Sequence, residues 1–184
     1  MFDPSGGFIR VICGPMFSGK TERLLFYLRR AEIAKKKIAL FKPAKDTRYS
    51  KDSVCTHYGS SMEAKVVPDS SAIFDLVEAD TEVVGIDEAQ FFDDKLTEIC
   101  RKLANDGKIV ILAGLDQDFR TIPFGSMPQL LVEAEKVEKI HAICELCGKS
   151  AQRTFRKTDS AEQVMLGGKN EYIPLCRNCY NKYK

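Results

Sequence analysis

Residues 8–21, FIRVICGPMFSGKT, decide how the rest of the chain folds. The run FIRVIC, residues 8–13, is short, apolar and rich in β-branched side chains, and it stops at a glycine. This pattern predicts a buried strand that enters a turn. After the turn, residues 20–36 carry leucine and isoleucine side chains at helical spacing, which predicts an amphipathic helix.

The turn itself, GPMFSGKT at residues 14–21, matches the phosphate-loop pattern G-x-x-x-x-G-K-[ST]. In such a loop, backbone N–H groups and the N-terminus of the following helix hold phosphate oxygens. Lys20 is expected to supply a mobile cation and Thr21 to hold Mg²⁺. The position between a strand and a helix disfavours a chance glycine-rich turn. The residues assigned to the nucleotide are Gly14, Pro15, Met16, Phe17, Ser18, Gly19, Lys20 and Thr21.

Further apolar runs predict the other strands of one sheet. They lie at residues 38–41, 82–86 and 108–113. Apart from the charged first residues Glu82 and Lys108, the runs are apolar throughout, as expected for strands that are covered on both faces. A predicted helix over 94–105 separates the last two runs, which is the βαβ order of a parallel sheet. We therefore predict an α/β, P-loop NTPase-like parallel sheet flanked by helices over residues 1–140, with a last strand-like segment at 137–143.

Two cysteine pairs come after the sheet. Cys144-x-x-Cys147 and Cys176-x-x-Cys179 offer four thiolates, the donor set of a structural Zn²⁺ site. The intervening residues 148–175 form a longer loop than the ~15–20 residues of an ordinary zinc ribbon. Residues 141–184 are therefore predicted to be a small zinc-ribbon domain whose long loop acts as a lid. A ribbon that only stabilises the C-terminus, or that binds nucleic acid, is the alternative.

A second acidic motif, VVGIDEAQF at residues 83–91, is an apolar strand that ends in two carboxylates. Asp87 is the predicted partner of Mg²⁺. Glu88 emerges at the carboxyl end of the sheet and can act as a base towards an alcohol or towards water. Two function classes remain open at this point. One is a kinase acting on an alcohol, and the other is a zinc-containing ATPase acting on nucleic acid, because Asp-Glu-Ala-Gln resembles a helicase box.

Length and charge weigh against the second class. The chain has 184 residues, with 28 Lys and Arg against 26 Asp and Glu, so its net charge is only +2. A helicase needs a second motor domain and a basic track for nucleic acid. Neither a signal peptide nor an apolar stretch of about 20 residues is present. The expectation is a soluble cytoplasmic protein that binds neither nucleic acid nor a membrane.

Five short motifs stand in a fixed order along the chain. They are GPMFSGKT at 14–21, KDTRYS at 45–50, CTH at 55–57, GIDEAQFF at 85–92 and PFG at 123–125. With the two cysteine pairs, they resemble the zinc-containing thymidine kinase family of bacteria and the animal cytosol, over nearly the whole chain. The resemblance implies that the γ-phosphate of Mg-ATP is transferred to the 5′-hydroxyl of thymidine, and of deoxyuridine, giving dTMP in DNA-precursor salvage.

The resemblance also assigns roles to single residues. It implies that Glu88 takes the proton from the 5′-hydroxyl, with Lys20 and Arg48 as the other catalytic residues. Arg48 would neutralise the charge that develops on the transferring phosphate. The further residues implied on the nucleotide side are Asp46, Asp87 and Gln90. The residues implied to line the nucleoside pocket are Met16, Phe92, Leu115, Phe119, Thr154, Val164, Gly167 and Tyr172.

Two further expectations come from the resemblance alone. The family forms tetramers, so a homotetramer is expected. The family is also inhibited by the end product dTTP, which is expected to bind here in the same way. His57 lies in a family motif and is assigned no role.

Overall fold

The structure is a computed structural model, and it describes residues 6–45, 53–55, 61–158, 168 and 170–183. Within these ranges the strands are β1 (Phe8–Cys13), β2 (Ile38–Pro43), β3 (Ser53–Cys55), β4 (Ser61–Glu63), β5 (Lys65–Val67), β6 (Val83–Ile86), β7 (Ile109–Gly114), β8 (Lys136–Lys139), β9 (Ala142–Ile143), β10 (Ser150–Ala151), β11 (Arg153–Arg156) and β12 (Tyr172–Leu175). The helices are α1 (Lys20–Ile33), α2 (Ser70–Leu76), α3 (Leu96–Asn105), α4 (Met127–Glu133) and α5 (Arg177–Tyr183), and a 3₁₀ turn covers Ala89–Phe91.

The main sheet has six strands in the order β5-β2-β6-β7-β1-β8. Every neighbouring pair in it is parallel. The carboxyl ends of all six strands therefore meet at one edge, which is where open α/β sheets bind their ligands. The predicted α/β fold with a parallel sheet is confirmed, and the strand predicted at 8–13 has the bounds of β1.

Helices cover both faces of this sheet, because successive side chains of a strand point to opposite faces. Ile12 belongs to the same core cluster as Leu24 and Leu28 of α1. Its neighbour Val11 belongs to the other cluster, with Leu103 of α3 and Leu130 of α4. This double cover explains why β1, β6 and β7 are buried along their whole length.

The helix predicted over 20–36 ends earlier than expected, at Ile33. Lys35 adopts a left-handed backbone conformation, with a φ of 59°, and the chain turns there towards β2. Helical spacing of apolar residues does not reveal such a turn, because the residues that make it, Ala34 and Lys35, are exposed.

The strand predicted over 137–143 is two strands in the structure. β8 ends at Lys139, and the next amide, Ile140 N–H, donates to the Cys13 carbonyl at 2.8 Å. β9 then begins at Ala142 and pairs with β10, away from the main sheet. The change of partner separates the main sheet from the C-terminal residues, and the domain boundary at residue 141 remains a prediction.

The C-terminal module, which comprises the described residues from 142 to 183, is a small unit of two-stranded sheets and one short helix. β9 pairs with β10, and β11 pairs with β12. Its core includes Ala151, Leu175 and Tyr180. The Tyr180 hydroxyl donates to the Phe119 carbonyl at 2.6 Å, which fixes the module at the carboxyl edge of the main sheet.

None of the helices in the described ranges combines the length and the apolar character needed to span a bilayer.

Candidate active site

The phosphate loop connects β1 to α1 and depends on two glycines. Gly14 has a φ of 150°, and a Cβ built there would lie 2.1 Å from the Ile140 carbonyl oxygen. Gly19 caps α1 with a φ of 85°, a conformation that glycine adopts without steric cost. Lys20 lies in the first turn of α1, and its ammonium donates to the Pro15 carbonyl at 2.7 Å. The loop therefore curls around its own lysine, as a phosphate cradle requires.

Thr21 and Asp87 meet beside this loop. The Thr21 hydroxyl lies 3.1 and 3.3 Å from the two carboxylate oxygens of Asp87. Burial, together with the adjacent carboxylate of Glu88, raises the pKa of Asp87 to about 7. A hydroxyl and a buried carboxylate are hard oxygen donors of the kind that Mg²⁺ takes beside nucleotide phosphates. The pair thus fits the predicted Mg²⁺ site.

Asp87→Asn is expected to reduce the pH dependence of the unfolding free energy of the metal-free, nucleotide-free protein. The pKa of Asp87 is about 7 in the folded state, against an ordinary value of 3.8. Its proton therefore stabilises the fold below about pH 4, and this stabilisation is lost as the pH rises towards 7. Urea unfolding in chelator near pH 5 and pH 8 should show the wild type losing about 1–3 kcal/mol more than the variant. Parallel pH profiles of the two proteins would contradict the assignment.

Glu88 follows Asp87 and has a left-handed backbone conformation, with φ 50° and ψ 42°. Its carboxylate accepts a hydrogen bond from the side-chain amide nitrogen of Gln90 at 2.5 Å. The other end of the same amide, Gln90 Oε1, accepts from the backbone N–H of Leu115 at 2.9 Å. Glu88, the expected general base, is therefore connected through Gln90 to the end of the neighbouring strand β7.

Four of the expected pocket residues lie where the C-terminal module meets the main sheet: Met16, Phe119, Thr154 and Tyr172. The Thr154 hydroxyl accepts a hydrogen bond from the backbone N–H of Met16 at 2.9 Å, which connects β11 to the phosphate loop. Phe119 is partly buried, and the guanidinium of Arg156 stacks on its ring, with Cζ 3.6 Å from the ring centroid. Arg156 also donates to the Tyr172 hydroxyl at 2.9 and 3.1 Å. A single buried arginine thus joins two of the expected pocket aromatics.

The four predicted zinc ligands lie together. The Sγ atoms of Cys144, Cys147, Cys176 and Cys179 are all within 4.8 Å of one another. The Cys147–Cys176 separation of 3.7 Å matches the edge of a tetrahedron with Zn–S bonds of ~2.3 Å, which is about 3.8 Å. Burial disfavours the Cys144 thiolate, but backbone N–H groups around it, including those of Leu146 and Cys147, lower the pKa of Cys144 to about 6. The donor set fits a structural Zn²⁺ ion.

Comparison with known proteins decides the family. The family model described as thymidine kinase matches residues 7–180. A thymidine kinase of Bacteroides thetaiotaomicron is 52% identical over 174 residues, which cover 95% of this chain and 87% of that protein. The thymidine kinases of Porphyromonas gingivalis and a Rhodothermus species are 51% and 48% identical, each over 96% of this chain and over 86% and 82% of their own lengths.

The chain belongs to the thymidine kinase family. The predicted family, the thymidine kinase function and the assignment as a nucleoside kinase, a phosphotransferase, are thereby confirmed. A kinase of this family implies ATP as the donor and a nucleoside as the acceptor. The ATPase alternative gains no comparable support.

Several residues that the resemblance to thymidine kinases singled out lie outside the described ranges. They are Asp46, Arg48, His57, Val164 and Gly167. Among the described pocket residues, Phe92 is 7% exposed and belongs to the main core cluster, so its ring is mostly surrounded by protein.

Arg156 was not predicted from the sequence, although it holds two of the residues expected in the thymidine kinase pocket. A signal for it exists in the spacing within RTFR at residues 153–156, where Arg156 lies two positions after Thr154. In a strand, residues two apart share a face, so Thr154 and Arg156 would have been placed together if β11 had been predicted.

Proposed function

We propose that the chain transfers the γ-phosphate of Mg-ATP to the 5′-hydroxyl of thymidine, giving dTMP in DNA-precursor salvage, and that it also accepts deoxyuridine. The observation that carries the proposal is the position of Glu88. Glu88 directly follows Asp87, which bonds to Thr21 at the phosphate loop. Gln90 connects the Glu88 carboxylate to the backbone amide of Leu115, a residue expected to line the nucleoside pocket. The hydroxyl of a bound nucleoside, and not only water, can therefore approach the Glu88 carboxylate.

On the donor side, the chain binds and orients the triphosphate. The amides of the phosphate loop and the N-terminus of α1 attract phosphate oxygens, and Lys20 adds a positive charge that can follow the moving γ-phosphate. Thr21 and Asp87 would hold Mg²⁺, which would offset the negative charge of the phosphates. Asp46 and Gln90 are the further residues proposed on this side.

On the acceptor side, Glu88 accepts the proton of the 5′-hydroxyl as that oxygen approaches the γ-phosphorus. A carboxylate in hydrogen-bond reach of an alcohol performs this step as a general base. Arg48 is proposed to stabilise the negative charge that spreads over the transferring group. Glu88, Lys20 and Arg48 thus form the proposed catalytic set.

The thymine ring is proposed to lie between the main sheet and the C-terminal module. Phe119 and Tyr172 supply aromatic surface, and Arg156 keeps both in place. Thr154 stands at the same junction through its bond from Met16. The remaining residues proposed for this pocket are Phe92, Leu115, Val164 and Gly167.

Zinc is proposed to hold the two cysteine pairs together and so to fix both ends of the long loop between them. Zinc binding is worth ~10–16 kcal/mol in small finger peptides, which exceeds the slowly growing entropy cost of closing a loop of this length. The homotetramer, the inhibition by dTTP and the cytoplasmic location are kept as proposals that rest on the family resemblance.

The activity is tested with purified protein, Mg-ATP and a panel of thymidine, deoxyuridine, deoxycytidine and uridine. We expect thymidine 5′-monophosphate as the main product, with a smaller yield of deoxyuridine monophosphate, both measured by chromatography. Hydrolysis of ATP that DNA stimulates, without any nucleoside monophosphate, would overturn the proposal in favour of a motor ATPase.

A further inference from the structure

Gln90 occupies an unusual place beside the proposed base. It lies in the 3₁₀ turn Ala89–Phe91 after β6, and it is only 2% exposed. A buried side-chain amide has a donor end and an acceptor end that both need partners, because an unsatisfied buried polar group costs about 1–3 kcal/mol.

Both ends of this amide have a specific partner. Gln90 Nε2 donates to the Glu88 carboxylate at 2.5 Å, and Gln90 Oε1 accepts from the Leu115 N–H at 2.9 Å. Leu115 follows β7, the strand next to β6 in the sheet. The glutamine therefore spans two neighbouring strand ends and attaches the Glu88 carboxylate to rigid backbone.

Two glycines leave the room that this arrangement needs. A Cβ at Gly114 would lie 2.9 Å from Gln90 Oε1 and 2.7 Å from the sulfur of Met127. Gly125 has a φ of 50°, and a Cβ there would lie 2.5 Å from the Gln90 carbonyl oxygen. A side chain at Gly114 would force the Gln90 amide or Met127 to shift, and a side chain at Gly125 would clash with the backbone of Gln90.

Glu88 itself needs such support. A non-glycine residue with positive φ costs on the order of 1–3 kcal/mol and persists only where its surroundings fix it. The φ of 50° points the Glu88 side chain away from the direction that an extended strand would give it. The hydrogen bond from Gln90 limits the orientations that its carboxylate can adopt.

We propose that Gln90 is a positioning residue, which holds the Glu88 carboxylate in its reactive orientation by bridging it to the Leu115 amide. This inference rests on the proposed function, in which Glu88 is the base. It differs from the role that the resemblance implies for Gln90, binding of the nucleotide, because both ends of the amide are bonded to the protein itself.

The first test is Gln90→Met, which keeps an unbranched side chain of similar length and removes both hydrogen bonds. We expect kcat to fall about 10- to 100-fold, because a base displaced by about 1 Å loses much of its contribution. The KM for Mg-ATP should change by less than about twofold. A raised KM for Mg-ATP with unchanged kcat would overturn the proposal and favour a nucleotide-binding role.

Gln90→Asn is the second variant, in case the first folds poorly. It keeps the amide but is one methylene shorter, so it cannot reach both partners, and the same fall in kcat is expected. The matched control is Gln129→Met, which removes a different side-chain amide that is exposed on α4. That control should keep kcat within about twofold, and an equal loss there would overturn the proposal.

A double variant separates positioning from a general effect on stability. If Gln90 acts through Glu88, then Glu88→Gln combined with Gln90→Met should turn over no more than about twofold more slowly than Glu88→Gln alone. Multiplied losses would overturn the proposal. If Glu88→Gln lowers kcat and Gln90→Met does not, only this inference fails. If Glu88→Gln itself keeps full turnover, Glu88 is not the base and this inference fails with it, whereas the proposed function fails only if the wild type forms no nucleoside monophosphate.

Discussion

Replacing Glu88 with glutamine is expected to lower kcat by about 10²- to 10⁴-fold, the usual contribution of a positioned general base. Glutamine keeps the shape of the side chain and can still accept the hydrogen bond from Gln90, but it cannot take the proton of the 5′-hydroxyl. Binding of Mg-ATP should persist, because the phosphate loop and the Thr21–Asp87 pair are unchanged. Steady-state kinetics with thymidine measure kcat and both KM values.

The control for this variant is Glu133→Gln. Glu133 is a glutamate on α4 that pairs with Arg101 at 2.6 Å on the surface, so its neutralisation should leave kcat unchanged within about twofold. Unchanged turnover in Glu88→Gln would remove Glu88 from the mechanism. Loss of Mg-ATP binding in that variant would show instead that the substitution disturbs the phosphate loop.

Loss of zinc is expected to raise the KM for thymidine at least about tenfold and to weaken Mg-ATP binding much less. Tyr172 lies on β12, which pairs with β11 in the module that the four cysteines close. Within the described ranges, a hydrogen bond from Met16 to Thr154 connects this module to the phosphate loop. A single hydrogen bond contributes about 1 kcal/mol, so the loss of this one would weaken ATP binding about fivefold.

Cys147→Ser tests this expectation with little change in packing, because Cys147 is the exposed member of the cluster. Metal analysis, thymidine KM and hydrogen exchange over residues 148–175 are measured together. Cys100→Ala is the matched control, since Cys100 is buried in the main sheet domain and burial raises the pKa of its thiol. If zinc were lost while exchange protection and thymidine KM stayed as in the wild type, the role of zinc in fixing the loop would be wrong.

The elements that the sequence predicted well are those whose burial is complete. β1 has its predicted bounds, and β6 and β7 begin one residue later than predicted. A strand that is covered on both faces is apolar along its length, so a short apolar run in the sequence is enough to predict it. The phosphate loop was equally clear, because Gly14 and Gly19 adopt backbone angles that suit glycine.

Short and partly exposed elements were missed. α2 and α4 have only seven residues each, too few for a helical period to stand out. α2 begins where Asp69 caps it and where Ser70 donates to the carboxylate of Asp93, 23 residues further along the chain. Such a helix depends on tertiary contacts, which local sequence patterns do not contain.

For the site, the sequence indicated the acids and the phosphate loop but not their connections. The bond from Leu115 to Gln90 joins residues 25 positions apart, and the bond from Met16 to Thr154 joins residues 138 positions apart. The first pair arises from the strand order, which places the ends of β6 and β7 side by side, and the second arises where the C-terminal module packs against the phosphate loop. Sequence motifs identify each partner separately and cannot reveal the bond between them.

The place of β1 in the sheet also affects how the protein is made. β1 lies between β7 and β8, and its Ile9 amide donates to Glu135, 126 positions later. At synthesis rates of about 5–20 residues per second, the ribosome needs roughly 6 to 25 seconds to cover that distance. During this time β1 leaves the exit tunnel before it can pair with β7 or β8. The nascent chain therefore carries an unpaired apolar strand that is prone to aggregate. A chaperone can shield this strand until translation nears its end.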